Sequence, residues 1–230
     1  MKRPLHILSG GAAQGLVGSV QPAFESAHGV TLMGTYGAVG AMREKLLAGE
    51  PCDVAILTAA LIASLEADGH VVKGSARAVG VVKTGVALKS AAPRVEIRSQ
   101  EDLKQLLSGA TSIHFPDPAK ATAGIHFMKV LTALGLDKDV SRHRTYPNGA
   151  TAMAALAKAE DGAVGCTQVT EILYTQGVQL TGLLPPPFEL ATTYTAAVCA
   201  KAKAPEAAQA LVAVLCSGEA AAYRRAGGFE

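Results

Sequence analysis

Twice within its first 42 residues the chain passes from an apolar stretch through a turn of small residues into a helix-compatible run. The segments are LHILSGGAAQG (residues 5–15) and MGTYGAVGAM (residues 33–42). A buried strand followed at once by a helix leaves the first helical N–H groups unpaired and converging on one spot, with the positive end of the helix dipole behind them. Such a corner holds an anion without any cationic side chain. Two of them so close in sequence predict two helix starts that share one small ligand.

The rest of the chain repeats the pattern. Residues 5–9 read as a first strand. Residues 12–26 read as a helix with Leu16, Val17, Val20 and Phe24 on one face, and Pro22 inside it is expected to kink it. Strands follow at 30–35 and 53–57, with a helix at 38–48 between them and another opened by Thr58 as N-cap. Alternation with short turns predicts a parallel sheet with covered faces. It restarts after a β-rich stretch at 79–89. A helix begins at Ser99, a strand covers 112–115, and a helix carries Ile125, Met128, Leu131 and Leu134 at helical spacing. Further strands at 142–146 and 163–167 flank a helix opened by Asn148-Gly149 and ending near Glu160. Beyond Pro185-Pro186-Pro187 a strand is expected at 192–200, and helices at 205–216 and 217–226 close the chain. Two lobes are therefore expected: residues 1–80 plus 198–230, and residues 81–197. A cleft between lobes joined by short crossings is where small ligands bind.

Composition removes several classes of function. Net charge is +2 and aromatics make up 4% with no Trp, so neither a basic field nor a stacking stripe for nucleic acid is present. No apolar run reaches membrane-spanning length, so no membrane insertion is expected. His6, His28, His70, His114, His126 and His143 lack metal-ligand spacing, and no metal or cofactor is expected. Gly10, Gly11 and Gly15 do not have the spacing of a dinucleotide-binding loop. Cys52, Cys166, Cys199 and Cys216 form no CxxC pair, read as small buried hydrophobes, and do not by their spacing indicate a disulfide. The opening MKRPLHILSGG is short of a signal peptide, which leaves a periplasmic protein with its leader removed, or a cytoplasmic one.

The order of motifs resembles the type II periplasmic substrate-binding proteins of the molybdate-binding kind. The matching segments are SGGAAQG, YGAVGAM, CDVAIL, FPDPAKATAGI, AVGCTQVTEIL and the late Tyr194, which together span nearly the whole chain. The stretch TQVTEILYTQGVQLTGLLP looks closer to the branch containing aconitate isomerase. The resemblance implies a two-lobed α/β fold, each lobe a sheet covered by helices, with a small anionic ligand clamped in the cleft. It also implies an ABC-transporter membrane component as a partner. It further implies that the first two strand-to-helix loops each present a serine to the anion. Here Ala12 and Val39 fall near those positions, with Ser9 and Thr35 displaced beside them. Fewer hydroxyls suit a larger, partly apolar organic carboxylate better than a tetrahedral oxyanion, which wants many donors.

The candidate ligand-binding residues are Ser9, Gly10, Gly11 and Ala12 in the first loop and Tyr36, Gly37, Ala38 and Val39 in the second. To these the reading adds Thr58, Lys120, Ala121, Thr122, Ala123, Asn148, Gly149, Gln168 and Tyr194. Each has a plainer alternative: Thr58 as an ordinary N-cap, Lys120 as a solvated loop lysine, Tyr36 and Tyr194 as packed rings, and Ser9–Gly11 as a simple tight turn. His114 and His126 read as satisfied core histidines. Two functions stay open. One is a solute-binding protein that does no chemistry. The other is an isomerase moving a proton across an allylic tricarboxylate, which needs donors for the carboxylates and one general base. Tyr36, Tyr194 and Lys120 are candidates for that base, and none stands out.

Overall fold

The computed structural model describes residues 2–230. They divide into two compact units, residues 2–82 with 192–230, and residues 83–191.

In the first unit β1 (Arg3–Gly10) is the inner strand. It pairs in parallel with β2 (Val30–Gly37) from Arg3 opposite Val30 to Gly10 opposite Gly37. On its other side it pairs in parallel with β3 (Val54–Thr58), Ile7 opposite Val54 and Ser9 opposite Ile56. β9 (Ala191–Val198) then runs antiparallel to β3, with Val54 opposite Val198 and Thr58 opposite Tyr194. A 3-10 turn (Gly11–Ala13) leads into α1 (Gln14–His28), which continues through Pro22 as one helix and buries Leu16, Val17, Val20 and Phe24. It stops at Gly29, whose φ of 63° suits glycine. α2 (Val39–Leu47) and α3 (Ala59–Ala67) follow β2 and β3. α8 (Pro205–Cys216) and α9 (Ala221–Ala226) pack on α1, and α9 starts four residues later than the sequence suggests.

One buried carboxylate ties three parts of this unit together. Asp53 precedes β3 and is 2% exposed. Its Oδ2 accepts from the His6 N–H at 2.8 Å, and its Oδ1 accepts from the N–H groups of Lys203 at 2.6 Å and Ala204 at 3.1 Å. The same side chain thus fixes β1 and the approach to α8.

In the second unit β5 (Ile113–Pro116) lies between β6 (His143–Tyr146) and β7 (Val164–Gln168), all parallel. β4 (Arg77–Lys89) carries the chain into this unit and pairs antiparallel with β7, Thr84 opposite Gln168. β8 (Val178–Leu183), which the sequence pattern did not reveal, pairs antiparallel with β4. α4 (Gln100–Ser108) opens on a capping box in which Ser99 and Asp102 bond each other's backbone N–H groups. α5 (Thr122–Leu134), α6 (Gly149–Leu156) and α7 (Val169–Tyr174) follow β5, β6 and β7. Leu103, Leu107, Ile113, Phe115, Phe127, Leu131 and Cys166 form the core, with the Phe115 and Phe127 rings edge to face at 5.4 Å.

Three details differ from the sequence pattern. Ile125 faces outward, and α5 instead buries Ala123, Gly124, Phe127, Val130, Leu131 and Leu134. α6 ends at Leu156 rather than near Glu160. Residues 192–197, expected in the second lobe, lie in the first unit, because β9 pairs along β3 from Tyr194 onward. The two histidines are satisfied. His114 bonds Ser112 at 2.9 Å and the Tyr146 hydroxyl at 3.0 Å, and His126 bonds the Phe188 carbonyl at 2.8 Å.

Asp53→Ala strips three backbone donors of their acceptor and is expected to cost about 3 kcal/mol of stability. Urea unfolding with an unchanged m-value measures it; a loss below about 1 kcal/mol contradicts the tethering role.

Candidate functional site: helix starts at the strand ends

Parallel strands followed directly by helices place every such helix start at the carboxyl edge of its own sheet. In the first unit that edge holds the ends of β1, β2 and β3, and antiparallel β9 brings Tyr194 to the same edge, opposite Thr58. The expected loop residues gather there. Gly10 shows how tightly: a Cβ on it would lie 2.8 Å from Val39 Cγ1 and 2.9 Å from Tyr194 Cε1. Gly10, Val39 and Tyr194 are therefore mutual neighbours, although they come from three separate segments.

The helix starts of this edge are not alike. No side chain caps the 3-10 turn after Gly10, nor α2, whose N-cap is Ala38. Their first N–H groups belong to Gly11, Ala12 and Ala13, and to Val39, Gly40 and Ala41. α3 is capped by its own Thr58, whose Oγ1 accepts from the Leu61 N–H at 3.4 Å. Ser9 is fully buried and its hydroxyl donates to the Gly10 carbonyl at 2.8 Å, so that donor is used within the turn. The Tyr36 ring folds back over Gly34 along β2. Gly37, Ala38, Val39 and Ala12 are buried, and Tyr194 is 3% exposed with its ring edge-on to Phe229.

In the second unit the corresponding edge carries the ends of β5, β6 and β7, with Thr84 of β4 opposite Gln168. Asp117 organises the loop after β5: its Oδ1 accepts from Ala119 N–H at 2.6 Å and Lys120 N–H at 3.1 Å. Lys120 is exposed there. α5 has Ala121 as N-cap with no side-chain cap, so the N–H groups of Thr122, Ala123 and Gly124 form its start. Gly124 packs so closely on the Pro116 and Asp117 carbonyls that a side chain does not fit.

The α6 start is built differently. Asn148 caps it through Thr151 N–H at 2.8 Å. Glu171, from the first turn of α7, then turns back onto it. The Glu171 carboxylate is buried, accepts from the Thr167 hydroxyl at 2.6 Å, and takes bonds from the backbone N–H groups of Gly149, Ala150 and Gln168. Burial raises its pKa above the ordinary 4.5, and these four donors pull the other way. The anion at Gly149 is thus the protein's own. Sequence reading missed Glu171, because Thr167 ends β7 and Glu171 sits in the first turn of α7, so only the fold brings them together.

Gln168 and Thr84 carry unused capacity. Gln168 is 2% exposed and neither its amide N nor its amide O bonds any group of the protein; the Thr84 hydroxyl, 1% exposed, is also unpaired. A buried polar group without a partner costs about 1–3 kcal/mol, and Arg43, His143, Thr170 and Thr192 each carry one as well. One cavity of this unit, of about 560 Å³, lies at the opposite edge beside Lys89 and Val164 and touches neither Gln168 nor Thr84; another, of about 500 Å³ between Ile97 and Leu190, is bordered by Thr84.

Comparison with known proteins gives the frame for these two edges. Residues 5–230 match the family described as bacterial extracellular solute-binding protein. The chain belongs to that family. Aconitate isomerase from a Pseudomonas species is 30% identical over 224 residues, covering 94% of this chain and 84% of that protein. The periplasmic molybdate-binding protein of Azotobacter vinelandii superimposes with a TM-score of 0.80 at 18% identity, over 98% of both chains. The sulfate-binding protein SubI of Mycobacterium tuberculosis gives 0.76 at 18% identity, over 99% of this chain and 86% of that one. The fold is that of the type II periplasmic binding proteins. Among the described residues no helix is long and apolar enough to cross a membrane.

The raised pKa of Glu171 has a signed consequence. The folded protein keeps this proton to higher pH than the unfolded chain, which releases it near 4.5. The stabilising contribution of the protonated form is therefore lost as pH rises through the folded value. Glu171→Gln, which stays neutral, is expected to gain in Tm relative to the parent between pH 4.5 and pH 8. A difference that does not change with pH contradicts a buried ionising carboxyl.

Proposed function

We propose that the protein is a solute-binding protein for a small organic carboxylate, held at the helix-start edge of the first unit. The observation that carries the reading is the lining of the first unit's edge. Two helix starts without side-chain caps offer backbone N–H groups, and beside them stand the Val39 side chain and the edge of the Tyr194 ring, where no serine or threonine does. Carboxylate oxygens match the N–H groups, and a carbon skeleton matches the apolar wall. A tetrahedral oxyanion has no carbon to place there and needs more donors than Ala12, Val39 and the internally bonded Ser9 supply. The names of the molybdate- and sulfate-binding neighbours therefore describe a shared fold and not this chain's ligand.

Contacts are assigned as follows. In the first unit the N–H groups after Gly10 and after Ala38 hold one carboxylate; Gly11, Ala12, Val39 and Tyr194 shape the space. Ser9, Gly37 and Thr58 set the loop conformation, and Tyr36 borders it. In the second unit the α5 start (Ala121, Thr122, Ala123) and Lys120 offer donors and a positive charge, and Gln168 with Thr84 offers the unpaired amide and hydroxyl. Gly149 acts indirectly, by holding Glu171, and Asn148 by capping α6. As a receptor the protein works in the periplasm and delivers its ligand to a membrane component of an ABC transporter.

A second reading is favoured by the relative named aconitate isomerase, which covers 94% of the chain. In that reading the same donors bind a tricarboxylate, and a base removes a proton at the allylic carbon and returns it at the other end. Lys120, Tyr36 and Tyr194 are the candidates to carry it.

A melting-temperature screen separates the ligand classes, since a ligand at a hundred times its Kd adds about 2.7 kcal/mol to native-state stability. Citrate or aconitate is expected to raise Tm, and molybdate, tungstate and sulfate to leave it unchanged; the reverse pattern overturns the carboxylate reading. Incubating any binding acid in heavy water then tests chemistry. A receptor leaves its NMR spectrum free of deuterium, and incorporation at an allylic carbon establishes the isomerase.

A further inference from the structure

We propose that Cys52 and Cys199 are a redox pair that closes to a disulfide and staples the start of β3 to the end of β9. The two residues are 147 positions apart in sequence, yet Cys199 Sγ lies 3.2 Å from Cys52 Sγ as a hydrogen-bond donor. Backbone pairing holds them there. Cys199 N–H donates to the Asp53 carbonyl at 2.9 Å, and Val54 pairs with Val198 one step further along the ladder. Asp53 itself is clamped by three N–H groups, so the Cys52 end is held by the same hub. The other two thiols are placed away from this pair. Cys166 is enclosed in the core of the second unit, and Cys216 contacts the Arg77 carbonyl at 3.8 Å.

The site is reachable. Cys52 is half-buried and borders a cavity of about 250 Å³, together with Glu50, His70, Lys201 and Lys203. Two lysines at that mouth favour an oxidant that carries carboxylates, and a glutathione-type disulfide has both the charge and the sulfur chemistry. The exchange balances without any other reagent. The Cys52 thiolate attacks one sulfur of the oxidised glutathione, forms a mixed disulfide and expels the first glutathione thiolate. The Cys199 sulfur gives up its proton, attacks Cys52 Sγ and expels the second. The protein loses two protons and two electrons, and one glutathione disulfide takes them up to become two thiols. Attack begins at Cys52 because it is the more exposed of the two sulfurs and borders the cavity, whereas Cys199 is buried.

The link would enclose the whole of residues 83–191 within its loop. It would hold β3 against β9 even while the second unit is unfolded. Long closed loops give the larger entropic stabilisation in the chain-entropy picture.

The reduced protein, freed of reductant and incubated with oxidised glutathione, tests this directly. Free thiols counted in denaturant should fall from four to two, and intact mass by about two hydrogens. Peptide mapping should join the Cys52 and Cys199 peptides, and Tm should rise by about 5–10 °C, reversibly with dithiothreitol. Cys166→Ser and Cys216→Ser should keep the response, and Cys52→Ser and Cys199→Ser should abolish it. Four thiols remaining, a glutathione adduct that never resolves, a link to another cysteine, or a Tm that does not rise overturns the proposal. The parent protein alone gives each of these readouts, so a variant that fails to fold does not decide the matter.

Discussion

The direction of the strand-to-helix connections governs this molecule. A parallel strand followed at once by a helix must deliver that helix's N-terminus to the carboxyl edge of the sheet. Three such connections in the first unit and three in the second therefore concentrate unpaired N–H groups and positive dipole ends at one edge of each sheet. β3, β5 and β7 and the last four residues of β1 are buried almost throughout, so chemistry at each edge is set by the few residues that end a strand or begin a helix.

What the protein does with those N–H groups differs from start to start. Thr58 and Asn148 satisfy theirs with side-chain caps, and Glu171 lays a buried carboxylate on α6. The turn after Gly10, α2 and α5 have no such side chain. The starts thus divide between those closed by the protein's own side chains and those without a side-chain cap. Gln168 and Thr84 atoms at the second unit's edge are likewise unpaired.

Much of this was legible in the sequence because it is local. Small residues after an apolar run marked the turns at Gly10 and Gly37, and Thr58, Ser99 with Asp102, and Asn148 announced their helices by capping chemistry. Partners brought in by tertiary structure were not legible. Glu171 reads as an ordinary helical acid until α6 is laid against α7, and Asp53 reads as a strand-end charge until His6, Lys203 and Ala204 turn toward it. β8 lacks alternation because all of its residues but Leu183 are half-buried, and Cys52 meets Cys199 only through the register of β3 with β9. Ile125 shows the limit of periodicity: of the stripe Ile125, Met128, Leu131 and Leu134, the last two are buried and Met128 partly so, while the start of α5 buries Ala123 and Gly124 and turns Ile125 outward.

Backbone amide NMR during titration with a tricarboxylate tests the central claim most directly. The account predicts that the largest shifts fall on the N–H groups of Gly11, Ala12, Val39 and Gly40, which begin the two uncapped helices of the first unit. Saturating shifts confined to other segments, with these four amides unmoved, would contradict it.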